Sequence, residues 1–215
     1  MSDRENFVQD NIEKFSFDMD VQRKLNYYSC ALSNIENKVI GIDNEYFLKY
    51  NHHLIEHRKT RIKSINSLLK KVYDRNLELD LDIISENIFD IAGIRLICPY
   101  ISDVYTLEKY ILNQNDITLA EKKDYIANPK PNGYRSLHLI VKIDTQLCGK
   151  KHQIYVEIQL RTSTMDFWAI LEHEIKYKYK IEDSQINHVL LECANQCNKL
   201  DRKMAQIKLN QSASE

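Results

Sequence analysis

The 215-residue sequence predicts an α+β fold in which a mixed, mainly antiparallel sheet is flanked by helices, with long helices at both ends. Residues 136–144 and 152–162 alternate apolar and polar side chains with a period of two, as half-buried strands do. Both ends of the chain instead repeat apolar residues every three or four positions, which is typical of amphipathic helices. Residues 88–98 form a nearly continuous apolar run of strand length, which indicates a buried strand.

The N-terminal helix is predicted from an apolar stripe. The stripe consists of Val21, Leu25, Tyr28, Leu32, Ile35 and Val39. Gly41 follows and is expected to stop the helix, because glycine is common just past a helix end. The nearby histidines His52, His53 and His57 fit an exposed helix end better than a metal site, since no cysteine or clustered acid completes a ligand set.

The next predicted helix, residues 61–75, carries a basic ridge. Its apolar stripe consists of Ile62, Ile65, Leu68, Leu69 and Val72. On the opposite side, Lys63, Ser67 and Lys71 follow one another at intervals of four residues, and Arg61 stands at the start. Such a ridge is commonly a solvated face, but the same groups suit a polyphosphate.

The buried strand at 88–98 contains one acid and one base, Asp90 and Arg95. Five positions apart, they would point to opposite faces of a regular strand, so either Asp90 precedes the strand or Gly93 marks a bulge. In a purely structural interpretation, Asp90 ends the preceding polar segment and forms an ion pair with Arg95. In a functional interpretation, Asp90 is a magnesium ligand beside a central strand.

The two alternating segments are separated by a loop around Gly149, which predicts a β-hairpin. Its polar face carries Ser136, His138, Lys142, Tyr155, Glu157, Gln159 and Arg161. A solvated sheet face is the usual explanation for such a pattern. The loop that leads into the hairpin argues for a binding site, because Gly133 permits a tight turn and Tyr134 places a flat ring among cations, which suits a nucleotide.

The remaining predicted elements are a strand at 115–126 and helices at 102–113 and 163–180. The C-terminal helix has an apolar seam made of Ile186, Leu190, Cys193, Cys197, Leu200, Met204 and Ile207. A seam that keeps this spacing over three heptads requires a partner helix. Cys193 and Cys197 lie within it, so core packing is expected for them rather than metal binding.

Composition agrees with a single globular domain, at 43% hydrophobic and 28% charged residues. The sequence has no run of 18 apolar residues and no signal peptide pattern, so a cytoplasmic protein without membrane contact is expected. The five cysteines are scattered without a Cys-x-x-Cys pair, which argues against disulfides and a zinc ribbon. A net charge of −1 provides no general attraction to DNA.

Four motifs together resemble the RelA/SpoT-type alarmone synthetases, in the order found in that family. They are Thr60-Arg61-Ile62-Lys63 with Ser67 and Lys71; Asp90-Ile91-Ala92-Gly93-Ile94-Arg95; Lys130 to His138; and Glu157-Ile158-Gln159-Leu160-Arg161-Thr162. The following segment, Met165 to His173, is similar to the short, single-domain members, the small alarmone synthetases. The resemblance implies a nucleotidyltransferase-like fold, with an N-terminal helical segment at 1–58, a catalytic core at 59–181 and an oligomerisation helix at 182–215.

The resemblance implies transfer of pyrophosphate from ATP to the 3′-hydroxyl of GDP or GTP, as in the stringent response. It implies that Asp90 and Glu157 are catalytic and bind Mg²⁺. The implied ATP-binding residues are Arg61, Lys63, Ser67, Lys71 and Arg95, and the implied GDP/GTP-binding residues are Lys130, Asn132, Tyr134 and His138. Gln159 and Arg161 are expected to support Glu157 from the same strand face. Relatives of this kind assemble as homotetramers, which implies a homo-oligomer here.

Two other functions remain open at this point. Toxic relatives pyrophosphorylate the 3′ end of tRNA, and Lys122, Lys123, Lys176, Lys178 and Lys180 are candidates for the basic surface that this needs. The alternative of a catalytically dead nucleotide sensor conflicts with the presence of Asp90, Glu157 and Tyr134. The chain also departs from the family at Asp74-Arg75, where many relatives have a basic pair, and it has no His-Asp pair for a hydrolase domain.

Overall fold

A computed structural model describes residues 2–147, 149–178 and 183–212. The helices are α1 (Asp3–Phe17), α2 (Met19–Tyr50), α3 (Ile65–Asp74), α4 (Leu81–Asn87), α5 (Ile101–Leu112), α6 (Ser163–His173) and α7 (Ser184–Ser212), and a π-helical turn, Glu174–Lys178, follows α6. The strands are β1 (His57–Ile62), β2 (Ala92–Cys98), β3 (Ile117–Asp124), β4 (Leu137–Leu147) and β5 (Lys150–Thr162). Among the described helices, none is long and apolar enough to cross a membrane.

The five strands form one sheet in the order β1-β2-β5-β4-β3. The pair β2–β5 is parallel, and the pairs β1–β2, β3–β4 and β4–β5 are antiparallel. The predicted mixed, mainly antiparallel sheet and the β4–β5 hairpin are therefore confirmed. Strand β1 was not predicted, because its sequence, HRKTRI, lacks the apolar alternation of a half-buried strand and is largely exposed at the sheet edge.

One face of the sheet forms the core, as the alternation predicts. Leu139, Val141, Val156 and Ile158 on the hairpin are completely buried. Helix α2 packs across this face and contributes residues such as Ile35 to the same core cluster. The opposite face carries the polar residues of β4 and β5, so it is the face available for a ligand.

Helix α2 does not stop at Gly41, so that prediction is wrong. The helix continues to Tyr50 and ends at Asn51, which has a φ of 50° and donates its backbone N–H to Phe47. A glycine inside a helix costs about 1 kcal/mol relative to alanine, which tertiary packing can outweigh. Completely buried Val39 lies beside this position and anchors the helix to the core.

The basic helix predicted at 61–75 begins at Ile65, four residues later than expected. Arg61 belongs to β1, where it pairs with Gly93 of β2, and Lys63 lies in the connection. Ser64 caps the helix, because its hydroxyl accepts the backbone N–H of Ser67 at 3.3 Å. Only Ser67 and Lys71 share a helix face, so the predicted ridge of three residues on one helix is wrong.

Helix α7 packs on α6 through only part of the predicted seam, because Ile186, Leu190 and Cys197 belong to this contact together with Ala194. Leu190 and Ala194 are buried against Trp168 and Ala169, and Trp168 Nε1 donates to Leu190 O at 2.8 Å. The seam residues Cys193, Leu200, Met204 and Ile207 are exposed, whereas Cys197 is partly buried beside this cluster. Core packing was therefore wrong for Cys193. The predicted helix 163–180 is α-helical up to His173 and continues as the π-helical turn to Lys178, and residues 179–182 lie outside the described part of the chain.

Candidate active site

The candidate site lies on the polar face of the sheet, where β1, β2, β5 and β4 adjoin. Strand register places Arg61 opposite Gly93, and Gly93 next to Glu157. Because Gly93 has no side chain, it leaves a gap between the arginine and the glutamate. The gap is part of a cavity of about 120 Å³, lined by Lys59, Arg61, Gly93, Ile94, Arg95, Glu157 and Gln159.

Asp90 is one of two carboxylates at this site, and it lies before β2, the first of the two possibilities the sequence left open. Its oxygens lie 2.9 Å from Lys63 Nζ and 2.8 Å from Lys71 Nζ. Burial raises the pKa of Asp90, but the hydrogen bonds and charges of the two lysines outweigh burial and bring this pKa below its ordinary value. Asp90 is therefore ionised at neutral pH, and it holds both lysines in one place.

Glu157 is the second carboxylate, and its two oxygens have different partners. Oε1 lies 3.1 Å from His138 Nδ1, and Oε2 accepts a hydrogen bond from Gln159 Nε2 at 2.9 Å. Burial raises the pKa of Glu157, but the hydrogen bond and charge of His138 and the hydrogen bond from Gln159 lower it below its ordinary value. Glu157 is therefore also ionised at neutral pH.

Two arginines on neighbouring strands share one carboxylate that sequence reasoning missed. Asp166 Oδ1 lies 3.0 Å from Arg95 Nη1 and 3.0 Å from Arg161 Nη1. Arg161 also donates to Gln159 Oε1 at 3.2 Å, which connects it to the partner of Glu157. Arg95 Nε is buried and has no hydrogen-bond partner, and burial followed by the charge of Arg161 lowers the pKa of Arg95.

The loop at 129–136 brings Tyr134 to the same strand face. The Tyr134 hydroxyl lies 2.8 Å from His138 Nε2 and 2.5 Å from Arg161 Nη2. Lys130 Nζ lies over the rings of Tyr134 and Tyr125, 5.0 Å and 4.7 Å from their centroids. Tyr134 and Lys130 thus form an aromatic and cationic wall next to His138.

Asn132 is held within the protein rather than presented to a ligand. Its Nδ2 donates to Glu172 Oε1 at 3.1 Å, and its Oδ1 accepts the backbone N–H of Tyr134 at 3.2 Å. The role of Asn132 in acceptor binding stays a prediction.

Ser67, at the start of α3, is exposed and accepts a hydrogen bond from the hydroxyl of Ser64 at 2.9 Å.

The residues that sequence reasoning missed lack a signal of their own in the sequence. Lys59 lies on the unpredicted strand β1 and lines the cavity with Arg61. Tyr125 follows β3, and Asp166 lies in the first turn of α6. Asp166 and Glu172 are typical residues for a solvated helix face, so only their contacts with Arg161 and Asn132 place them at the site.

The two carboxylates fit a magnesium ion in their chemistry. Mg²⁺ takes oxygen ligands, and it is commonly held by one or two carboxylates together with substrate phosphates. Asp90 and Glu157 are both ionised, and the side chains are only 20% and 14% exposed. Within the described residues there is no cluster of three or more histidine, cysteine, aspartate or glutamate side chains, so substrate oxygens would have to complete the site.

The histidines near the end of α2 bind carboxylates of the protein. His52 Nε2 lies 2.9 Å from Asp103, and His53 Nδ1 lies 2.7 Å from Asp43. His57 is instead the first residue of β1, so placing it at a helix end was wrong.

The proposed basic surface for tRNA is largely paired with acids. Lys122, Lys123 and Lys176 form ion pairs with Glu108, Glu121 and Glu172. The side chain of Lys178 and the whole of Lys180 lie outside the described residues.

Asp74 and Arg75, where the sequence departs from the family pattern, have partners outside the candidate site. Asp74 pairs with Arg4 at 2.8 Å, and Arg75 donates to the backbone oxygen of Asn87.

The fold and site are typical of a nucleotide-binding α+β domain of the phosphotransfer type, in which lysines, arginines and an aromatic loop lie around two ionised carboxylates, Glu157 on the sheet face and Asp90 just before β2. Residues 60–182 match the family model described as a region found in RelA / SpoT proteins. The chain belongs to the RelA/SpoT family.

The relatives cover nearly the whole chain. GTP pyrophosphokinase YwaC of Bacillus subtilis is 41% identical over 88% of this chain and 90% of its own length. GTP pyrophosphokinase YjbM of the same organism is 34% identical over 87% of this chain and 88% of its own length. Among solved structures, small alarmone synthetase 2 from Bacillus subtilis superposes with a TM-score of 0.81 at 40% identity, covering 89% of this chain and 99% of that one.

A second solved structure, small alarmone synthetase 1 from Bacillus subtilis bound to its product pppGpp, has a TM-score of 0.82 at 31% identity. This superposition covers 90% of this chain and 98% of the chain in that structure. The family and the fold expected from the four motifs are thus confirmed.

Proposed function

We propose that this chain is a GTP pyrophosphokinase that transfers pyrophosphate from ATP to the 3′-hydroxyl of GDP or GTP and releases AMP. The observation that carries this proposal is the pair of carboxylates, with lysine-bound Asp90 just before β2 and histidine-bound Glu157 on β5, in a chain 41% identical to a GTP pyrophosphokinase. The 3′-oxygen attacks the β-phosphorus of ATP, a bond to that phosphorus forms, and the bond to the bridging oxygen of AMP breaks. The products are ppGpp from GDP and pppGpp from GTP.

The donor ATP is proposed to bind on the β1, β2 and α3 side. Lys63 and Lys71 are already together at Asp90, so their ammonium groups need little further ordering to hold phosphate oxygens. Ser67, near the N-terminus of α3, adds a hydroxyl donor to the same side. Arg61 and Arg95 line the cavity beside Gly93, and their planar guanidinium groups suit the two faces of adenine.

Asp90 and Glu157 are proposed to hold Mg²⁺ together with the ATP phosphates. When bound, the ion would neutralise part of the charge on the transferred group and align the two reacting oxygens.

Glu157 is proposed to orient the acceptor hydroxyl and to receive its proton. The lowered pKa keeps Glu157 ionised, so the carboxylate is available as a hydrogen-bond acceptor for the 3′-hydroxyl. In phosphoryl-type transfer the attacking hydroxyl needs little deprotonation before its oxygen bonds to phosphorus. The orientation of the hydroxyl therefore matters more than the strength of the base. His138 and Gln159 fix the two oxygens, and Arg161 in turn holds Gln159.

The acceptor base is proposed to stack on Tyr134, with its phosphates near Lys130 and His138. Lys130 lies over the Tyr134 ring, so it has to move aside and is then free to contact the acceptor phosphates. Asn132 shapes the loop, because both polar atoms of its side chain bond within the protein.

A homo-oligomer, by analogy a tetramer, is proposed as the working form. Leu200, Met204 and Ile207 of α7 are each about half exposed, at 51%, 47% and 52%, and a second copy would remove these apolar groups from water. The cytoplasm is the compartment proposed, because it supplies ATP and GTP and keeps free thiols such as buried Cys98 reduced.

The test is incubation with ATP labelled on the β-phosphate, with GDP, GTP or bulk tRNA as acceptor. We expect the label in ppGpp or pppGpp with equimolar AMP, and none in tRNA. Chelation of divalent cations with EDTA should stop the transfer, and Mg²⁺ should restore it. Label in tRNA alone would replace this proposal with the toxin-like activity, and ATP consumption without an acceptor product would overturn both.

A further inference from the structure

The loop that carries Tyr134 is in direct contact with α7. Gly133 has a φ of +90°, and a Cβ built on it would lie 2.6 Å from Ala194 Cβ and 3.1 Å from Leu191 Cδ1. A Cβ contact of 2.6 Å is too short for real atoms, so the absence of a side chain at 133 lets the loop backbone lie directly on the helix. Ala194 is only 4% exposed, which means that its methyl group is enclosed at this contact.

The same loop is fixed on its other side by α6. Asn132 donates to Glu172 Oε1, and Lys176 Nζ lies 2.8 Å from the same oxygen. The Tyr134 ring packs against the apolar cluster that joins α6 to α7. The consecutive residues 132, 133 and 134 are thus held by α6, by α7 and by the cluster between them.

The contact between Gly133 and Ala194 acts first on the acceptor side of the site. Tyr134 follows Gly133 directly, and its hydroxyl reaches His138 and Arg161. The donor lysines Lys63 and Lys71 are bound to Asp90 instead, and neither contacts α7 in the ion pairs that hold them. Arg61 and Arg95 line a cavity together with Tyr134, but they are positioned by strands β1 and β2. A displacement of the loop by about 1 Å would misplace the stacking ring, and misplacements of that size strongly reduce catalysis.

We propose that Ala194 of α7 is a positioning residue for the guanine-nucleotide acceptor, acting through its contact with Gly133. This inference rests on the proposed function only in taking Tyr134 as the acceptor platform. The size of the side chain at 194 then sets how well GDP or GTP binds and has a smaller effect on ATP binding. The C-terminal helix is in this way part of the acceptor site although none of its residues needs to touch the nucleotide.

The first test is Ala194→Leu with Asn195→Leu as its matched control, because Asn195 is the exposed neighbour on the same helix. We expect Ala194→Leu to raise the KM for GDP and GTP about tenfold, within the range seen for coupled neighbours, with the KM for ATP changed less than about twofold. Asn195→Leu should change neither value. A rise in both KM values alike, or a lower melting temperature with both KM values unchanged, would overturn the inference.

A second test uses a double-mutant cycle and covers the case in which Ala194→Leu fails to fold. Gly133→Ala introduces the 2.6 Å clash, and Ala194→Gly removes the methyl group on the other side. We expect the double variant to recover at least about threefold of the acceptor affinity that Gly133→Ala alone loses, although the positive φ keeps recovery incomplete. No recovery would contradict a direct contact between the two positions.

Calorimetric binding of GDP to each variant separates this inference from the proposed function. If the wild-type protein binds GDP but transfers no pyrophosphate to it, the proposed function fails, and the Ala194 inference is decided by the GDP dissociation constants. If the wild-type protein binds no guanine nucleotide, both fail.

Discussion

Lys71 and Asp90 form an ion pair that joins α3 to the segment leading into β2, with Nζ 2.8 Å from Oδ1. Lys63 lies on the other oxygen of the same carboxylate, at 2.9 Å. Without nucleotide, Asp90 thus keeps two ammonium groups close together that would otherwise repel each other. In the proposed site, ATP phosphate oxygens would replace Asp90 as the partners of the two lysines, and Asp90 would then be available to hold Mg²⁺.

Asp90→Asn should reduce the rate of pyrophosphate transfer at least about a hundredfold, because it removes a charge from the proposed metal site. A bound metal ion typically lowers the activation barrier by several kcal/mol. Glu157→Gln should have an effect of the same size. The matched control is Asp82→Asn, since Asp82 is 86% exposed and pairs with Lys24. Steady-state rates in saturating Mg²⁺ provide the measurement. More than about a tenth of wild-type turnover in either variant would remove that residue from the catalytic centre.

Tyr134→Ala should raise the KM for GDP or GTP while binding of a non-hydrolysable ATP analogue stays near the wild-type value. The ring is proposed to stack on guanine, a contact worth roughly 1 to 3 kcal/mol in single-strand recognition. Tyr134→Phe keeps the ring but loses the hydroxyl bonds to His138 and Arg161, so an intermediate loss of kcat is expected. Weaker binding of the ATP analogue with an unchanged acceptor KM would mean that the two pockets are exchanged.

Leu200→Asp and Met204→Asp should each convert an oligomer to smaller species, because an unpaired charge in an apolar contact is strongly disfavoured. Both residues lie on the exposed stripe of α7, so neither change should unfold the subunit. Gln206→Asp, an exposed position of the same helix outside the predicted seam, is the control. Light scattering measures the mass. A wild-type mass retained by both variants would show that the stripe is not an interface.

Asp201→Asn should stabilise the protein at neutral pH. Burial raises the pKa of Asp201 above its ordinary value of 3.8, although the hydroxyls of Thr164 and Thr162 donate to it at 2.6 and 2.7 Å. Because the folded pKa is the higher one, the stability that the carboxyl contributes is complete below about 3.8 and is lost as pH rises through the folded pKa. Both hydroxyls donate to the same oxygen, so an asparagine can keep these bonds without the charge.

Urea unfolding checks this prediction at pH 7 and again near pH 4. The free energy of unfolding should be higher for the variant than for the wild type at pH 7, and the difference should shrink toward pH 4. Asp20→Asn is the control, because Asp20 is 71% exposed. A variant that is less stable than the wild type at pH 7 would show that the charge is needed there.

Strand periodicity predicted the central hairpin correctly because the pleat forces alternate side chains to opposite faces. Completely buried Leu139 and Ile158 and half-buried His138 and Glu157 follow that rule directly. The order of the motifs was also enough to identify the family, since each motif contains the residue types and spacing that its local turn or strand needs. These features are local, so the sequence determined them alone.

The placement of Arg61 and Lys63 was decided by pairing with a distant strand. Residues 57–62 have little apolar alternation, yet their backbone groups bond to β2, thirty or more residues further along the chain. A helical pattern beginning at Ile62 therefore gave the wrong start for α3. Lys63 nevertheless meets Lys71, because both reach Asp90 from different elements.

The helix contacts of α7 and the position of Asp166 were likewise decided only by the tertiary structure. The apolar residues of α7 allow more than one packing face, and docking against Trp168 selects the face of Leu190 and Ala194. Asp166 becomes part of the site because β2 and β5 bring Arg95 and Arg161 to it. Sequence fixes which side chains are available and how they alternate, whereas the partner of each one depends on contacts between residues far apart in the chain, which no local pattern records.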